Sequence, residues 1–143
     1  MGFRGLYDHR VDDRGRVALP ARYRNEFSTG VVLTMSPDGC VQVYTPEGFD
    51  EKSNREASIP DTARVGRRSR RRFDAPSYDV ELDGQGRILL PPRLRTGAAL
   101  EGPVVIAGVR ECLEIWNPER WDDELQAAMD QEEDFPAEQG PEV

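Results

Sequence analysis

VDDRGRVALPARYR, from Val11 to Arg24, is written a second time as LDGQGRILLPPRLR, from Leu82 to Arg95. The stretches agree at seven of fourteen positions (Asp, Gly, Arg, Leu, Pro, Arg and Arg) at a constant offset of 71 residues. The likeness continues outward: Tyr7-Asp8 recurs as Tyr78-Asp79. Downstream, VVLTMSPDGCVQVYTPEGFDE (31–51) is matched by VVIAGVRECLEIWNPERWDD (104–123), with Cys40 against Cys112, Tyr44 against Trp116, and Phe49 against Trp121. Two copies are too few for a solenoid, which needs at least about three repeats to bury its stacking faces. A duplicated pair points instead to pseudo-twofold symmetry, each copy covering the other's core.

Each copy reads as the same series of elements. A strand-like lead (Gly5 to Val11; Ser77 to Leu82) enters a turn of Asp and Gly, DDRG or DGQG. A short alternating strand follows (Arg16 to Leu19; Arg87 to Leu90), and Pro20 or Pro91 opens a short helix. Two β-like runs come next, 31–36 with 40–45 and 104–108 with 112–117, before Pro46 and Pro118 start longer helices. In the second of these, Trp121, Leu125 and Met129 recur at i, i+4 and i+8. These signals divide the chain into a first repeat (1–55), a basic helical connector (56–76), a second repeat (77–131) and an acidic tail (132–143) expected to be disordered. Within the connector, Asp61 is expected to cap a helix reaching about Arg72.

Composition narrows the function. No apolar run approaches the ~20 residues that span a bilayer, and MGFRGLYDH lacks a signal peptide's apolar segment, so the expected location is the cytoplasm. Two cysteines make neither a disulfide framework nor a zinc set, and each reads as a small buried apolar residue. No nucleotide-binding glycine loop, metal-ligand spacing or nucleophile elbow is present, so a non-enzymatic protein without metal or cofactor is expected. The net charge of −8 argues at first against a nucleic-acid partner, but it is unevenly placed. Residues 1–73 hold 14 Arg/Lys and 10 Asp/Glu (+4), whereas residues 74–143 hold 5 and 17 (−12). RVGRRSRRRF (64–73) puts six Arg in ten residues, a run suited equally to phosphate and to an acidic protein surface.

The repeated chemical unit is Asp-x-x-x-Arg with Gly before the Arg: Asp12, Gly15 and Arg16, then Asp83, Gly86 and Arg87. Glycine permits the positive φ of a tight reversal, the Asp carboxylate accepts backbone N–H groups inside it, and the Arg is presented from a rigid loop. A guanidinium fork held this way suits guanine edges or phosphate oxygens. Pairing of Asp with Arg to close the hairpin accounts for the same residues, and duplication alone does not separate the two uses. The copies differ in one informative place: Arg14 is matched by Gln85, which makes the first loop the stronger nucleic-acid reader. Arg22 and Arg24, with Arg93 and Arg95, read as solvated surface arginines.

In order, FRGLYDHRVDDRGRVALPARYR, VELDGQGRILLPPRLR and VVIAGVRECLEIWNPERW resemble the MraZ family of bacterial proteins, within the SpoVT/AbrB-like swapped-hairpin superfamily. The resemblance covers about Phe3 to Gln131. It implies an α+β fold of two fused swapped-hairpin β-barrel halves related by internal duplication, with peripheral helices. It further implies a homo-oligomeric ring, commonly of eight or twelve subunits. Such a ring would be a sequence-specific transcriptional regulator binding double-stranded DNA at promoter direct repeats upstream of the division and cell-wall gene cluster, in the cytoplasm with the nucleoid. The family's DNA-contacting loop maps onto Arg14 and Arg16, with Arg4 as an addition and Asp12 and Gly15 shaping the loop. Asp83 and Arg87 are the second-copy counterparts, reading DNA or closing the fold. The rival expectation is a non-enzymatic protein-interaction module on the same duplicated barrel.

Overall fold

Within each copy only one hairpin pairs with itself, Val31–Met35 with Val41–Tyr44 and Gly102–Arg110 with Leu113–Trp116, and every other strand pairing runs between the copies. The computed structural model describes residues 2–134. Its strands are β1 (Phe3–Val11), β2 (Arg16–Ala18), β3 (Val31–Met35) and β4 (Val41–Tyr44), then β5 (Ser77–Val80), β6 (Arg87–Leu89), β7 (Gly102–Arg110) and β8 (Leu113–Trp116). Six form one antiparallel sheet in the order β1-β7-β8-β4-β3-β5, and β2 pairs with β6 in a separate ribbon. Exchanging the copies (β1 for β5, β2 for β6, β3 for β7, β4 for β8) turns that order into its own reverse.

The register obeys the same exchange. Tyr7 pairs with Ile106 across the copies, and its counterpart Tyr78 pairs with Leu33. On the pseudo-dyad each residue meets its own equivalent: Val17 lies opposite Ile88, and Gln42 opposite Glu114. One fully buried cluster collects Val17, Leu19, Phe27 and Leu33 from the first copy with Ile88, Leu90, Ile106 and Leu113 from the second. Each such side chain contributes roughly 1.5–3 kcal/mol by leaving water, so neither copy retains a core of comparable size alone. Two smaller clusters repeat the pattern. Val32, Tyr44 and Cys112 pack with Phe49, and the exchanged set Val105, Trp116 and Cys40 packs with Trp121. Both thiols are free and buried, as their apolar surroundings in the sequence suggest. Burial pushes Cys112 up to about 12 and Cys40 higher still.

Helices decorate this frame. After Pro20 the first copy forms a 3-10 helix, Ala21–Phe27, where the second forms an α-helix (α3, Pro92–Gly97). α1 (Pro46–Glu56) is capped by Thr45, whose Oγ1 accepts the Gly48 N–H at 3.0 Å. Asn117 caps α4 (Pro118–Asp134), its Oδ1 accepting the Glu119 N–H at 2.9 Å. The connector helix α2 (Arg64–Phe73) begins later than the sequence suggests. Asp61 does not cap it; its carbonyl instead accepts from Arg67 Nη1 at 2.9 Å. Gly66 brings α2 against the carbonyls of Ile59 and Pro60, a gap in which a Cβ has no room. β1 starts two residues before the expected Gly5, and β5 ends at Val80 rather than Leu82. The backbone of α4 continues through the first three residues of the expected tail, to Asp134, and the rest of that segment lies outside the described residues. Among the described residues no helix is long and apolar enough to cross a membrane.

A shared core predicts shared unfolding. Ile88→Ala, a truncation on the pseudo-dyad, is expected to lower the unfolding free energy by about 2–5 kcal/mol. Urea titrations followed by tryptophan fluorescence (both Trp lie in the second copy) and by far-UV circular dichroism should coincide in one transition, whereas separate transitions would contradict the interlocked frame.

Candidate nucleic-acid interface

The two Asp-x-x-x-Arg loops are built by the same hydrogen bonds. Asp12 Oδ1 accepts the N–H groups of Arg14 (2.9 Å) and Arg16 (2.8 Å), while Oδ2 accepts Arg16 Nε at 2.9 Å. Asp83 does the same for Gln85 (2.8 Å), Arg87 (2.9 Å) and Arg87 Nε (2.9 Å). Backbone bonds close each turn, from the N–H of Gly15 to the Asp12 carbonyl and from that of Gly86 to the Asp83 carbonyl, both at 3.0 Å. The glycines take φ of +83° and +75°, the left-handed region that disfavours a side chain. The Arg16 N–H is the main influence holding the Asp12 carboxyl below its ordinary value, and the Arg87 N–H does the same for Asp83.

Each loop is also locked by the opposite copy. The Gly15 carbonyl accepts the Leu90 N–H at 2.9 Å, and the Gly86 carbonyl accepts the Leu19 N–H at 3.0 Å. Arg95 lies over Gly15 and Arg24 over Gly86, each guanidinium filling the space that a Cβ would need. Arg24 is further fixed by its Nε donating to the Leu19 carbonyl at 3.1 Å. Arg87 Nη1 lies 3.9 Å from Asp12 Oδ2, so the two ion pairs form one cross-copy group. Glycine is therefore required twice at each loop, for its φ and for the arginine packed against it.

This geometry sorts the residues singled out in the sequence. Asp12, Gly15, Arg16, Asp83 and Arg87 come together in one network, and the Arg16 and Arg87 side chains are only 30% and 27% exposed. Arg14 stands apart from them. Its backbone is fixed by Asp12 while its side chain is exposed at the turn, and Gln85 occupies the equivalent place. Arg4 is not part of this group: it faces Val109 near the far end of β1, eight residues or about 25 Å of extended chain from Asp12. There the Tyr23 hydroxyl both accepts its N–H and donates to its carbonyl, each at 2.9 Å. Arg22 is exposed beside the Tyr23 ring, whereas Arg24 and Arg95 are structural and not the solvated arginines they resemble in sequence. The signal for them was their recurrence at the last place of both copies. What hid it is that each acts on a glycine of the other copy.

Two expectations test the loop chemistry. Because the folded carboxyls are held below their ordinary 3.8, the folded chain binds these protons more weakly than the unfolded chain. The stability they contribute is present above about pH 4 and is lost as pH falls through the lowered values. Asp12→Asn with Asp83→Asn should therefore flatten the loss of stability as pH falls below about 4, read by urea midpoints across pH. Gly15→Ala should cost about 1–3 kcal/mol, from backbone strain and displacement of Arg95. Gly84→Ala, with nothing within 4 Å of its Cβ position, should stay within about 0.5 kcal/mol of the parent in the same titration.

Comparison with known proteins follows the repeat. The family described as "MraZ protein, putative antitoxin-like" matches the chain twice, over residues 3–72 and 75–139. The chain is 40% identical over 131 residues to a protein of Moorella thermoacetica named transcriptional regulator MraZ, covering 92% of each. The namesake from Roseiflexus castenholzii is 41% identical over 128 residues, covering 90% of this chain and 89% of the relative. That of a Nocardioides species is 38% identical over 121 residues, covering 85% and 84%.

Proposed function

The chain belongs to the MraZ family, and we propose that it is a sequence-specific DNA-binding transcriptional regulator without enzymatic activity. The observation that carries this reading is the exposed Arg14 at the tip of a turn whose every backbone constraint is already met. The turn that carries it needs no further ordering of its backbone on binding, and the planar guanidinium fork fits a guanine edge or a phosphate. Asp12 and Gly15 hold the turn. Arg16 and Arg87 sit behind it as positive groups, with Nε committed to a carboxylate and the rest of the side chain partly open. The second turn, with Asp83 below and Gln85 in place of Arg14, is the weaker reader.

The cross-copy strand exchange supports two fused swapped-hairpin barrel halves as the frame. One chain offers one strong loop, so useful affinity requires several. We assign the protein to a homo-oligomeric ring of eight or twelve subunits, whose linked loops engage direct repeats of promoter DNA through avidity. The operator sites belong upstream of the division and cell-wall gene cluster, and the protein works in the cytoplasm on the nucleoid. A net charge of −8 opposes long-range attraction to DNA, which makes binding depend on short-range contacts and fall steeply with salt.

A gel-shift assay with the duplex upstream of the protein's own gene tests this reading against scrambled duplex at about 50 and 200 mM salt. Arg14→Ala should weaken binding at least about tenfold, the scale of one lost charge-assisted contact per loop, with an unchanged melting temperature. Arg16→Ala should lose binding and melting temperature together, because it also releases Asp12. Equal affinity for scrambled duplex at every salt would leave the protein-interaction module as the better reading.

A further inference from the structure

The pseudo-dyad makes α1 and α4 equivalent, yet among the described residues only α1 is covered. Position for position, at an offset of 72 residues, Phe49, Lys52, Ser53, Glu56 and Ala57 correspond to Trp121, Glu124, Leu125, Ala128 and Met129. Those residues of α1 and its C-terminal cap form the seat of the connector helix α2. Phe49 stacks on Phe73 with ring centroids 4.9 Å apart, and Lys52 Nζ lies 5.7 Å from the same ring. Ser53 Oγ donates to Asp74 Oδ1 at 2.8 Å, and the carbonyls of Glu56 and Ala57 accept from Ser69 Oγ (3.2 Å) and Arg70 Nη2 (3.3 Å). On α4 the first turn is anchored, by Trp121 against Trp116 and by Arg120 Nη1 donating to the carbonyls of Gly39 and Gly97. Beyond it the equivalent face is open, and it is the more apolar of the two, with Leu125 and Met129 45% and 56% exposed.

The chain carries a matching helix with a free side. α2 uses Ser69, Arg70 and Phe73 against α1. Its exposed side carries Arg64, Arg68, Arg71 and Arg72, with Val65, 59% exposed, at the edge one turn before Ser69. On α4 the Leu125–Met129 stripe is bordered by Asp122, Glu124 and Asp130. The apolar stripe of α4 lies beside carboxylates, the exposed side of α2 is arginine-rich around a single valine, and the two signs are opposite.

We propose that the exposed face of α4 is the seat for α2 of a second copy of this chain. Val65 then packs between Leu125 and Met129, and the α2 arginines meet the α4 carboxylates. One α2 bridges the α1 of its own chain and the α4 of the next. The contact is head-to-tail, joining different surfaces of the two chains, so repetition closes into a ring where the rotation permits. This rests on the ring reading above and supplies its interface.

The full-length double variant Val65→Cys, Leu125→Cys, mildly oxidised, should run on a non-reducing gel as a ladder of multimers ending at the full ring. Either single variant should run as monomer, since Cys40 and Cys112 are buried. Leu125→Glu with Met129→Glu should shift the native mass by light scattering from ring to small species, with an unchanged far-UV spectrum. Disulfide dimers from one single variant would overturn the pairing by showing that like helices meet. A wild-type ring whose Glu variant keeps its mass would overturn the interface and leave the ring standing, whereas a monomeric wild type would remove the ring reading itself. An Arg68→Glu protein that remains a ring but releases DNA would reassign α2 to phosphate contact and overturn the proposal.

Discussion

Two hydrogen bonds condition the rest of this structure: Leu90 N–H to the Gly15 carbonyl and Leu19 N–H to the Gly86 carbonyl. Each fixes the loop of one copy to the strand of the other. Once they form, β2 and β6 are in register, Val17 faces Ile88, and the leads β1 and β5 are delivered to opposite edges of the sheet. Arg24 and Arg95 then close over the two glycines from opposite sides. A copy folded alone would present an unpaired strand edge and an uncovered apolar face, both costly in water. Interlocking is thus a consequence of burial: a unit of this size has too little surface to hide until its twin supplies the missing strands.

Symmetry in the frame frees the decorations to differ. Both loops need Asp, Gly and Arg because both halves are closed by the same turn. The residue between Asp and Gly that points outward is under no such demand, and there the copies diverge, Arg14 against Gln85. The same holds for the helices. α1 and α4 occupy equivalent places, but the single connector can cover only one, and it stays with α1. A duplicated fold leaves its functional signal in the places where equivalence breaks.

Much of this was legible because the repeat constrains local choices twice. Turn residues at 12–15 and 83–86, the helix-opening prolines Pro46 and Pro118, and the buried cysteines all follow from short-range chemistry, and the structure places them accordingly. The Asp12 and Asp83 networks follow the same logic. What stayed hidden was non-local. Nothing in Gly5 to Val11 announces that the lead pairs with β7 of the other copy, since the alternation of a strand fixes its face but not its neighbour. Arg24 and Arg95 read as surface residues because their partners are glycines some 60 to 80 residues away, which leave no side-chain clue. The family resemblance adds Arg4 to the loop, and the length of β1 separates them.

The charge distribution of the chain takes its meaning from the same geometry. Six arginines on α2 are the densest positive charge in the sequence, and they lie on the connector helix and in neither loop. A protein that read DNA by net attraction would have concentrated its arginines at the reading face. Here the loops present few cations, with Arg16 and Arg87 held by the Asp network and Arg14 exposed beyond it, and the basic and acidic helices carry opposite signs. Opposite helices on one chain that do not cover each other are better suited to joining chains than to gripping a polyanion, because α4 would repel the DNA that α2 attracted. On the proposed reading, separating assembly charge from recognition charge would allow an acidic chain to carry a selective arginine contact, since the rest of its surface would contribute little to non-specific binding.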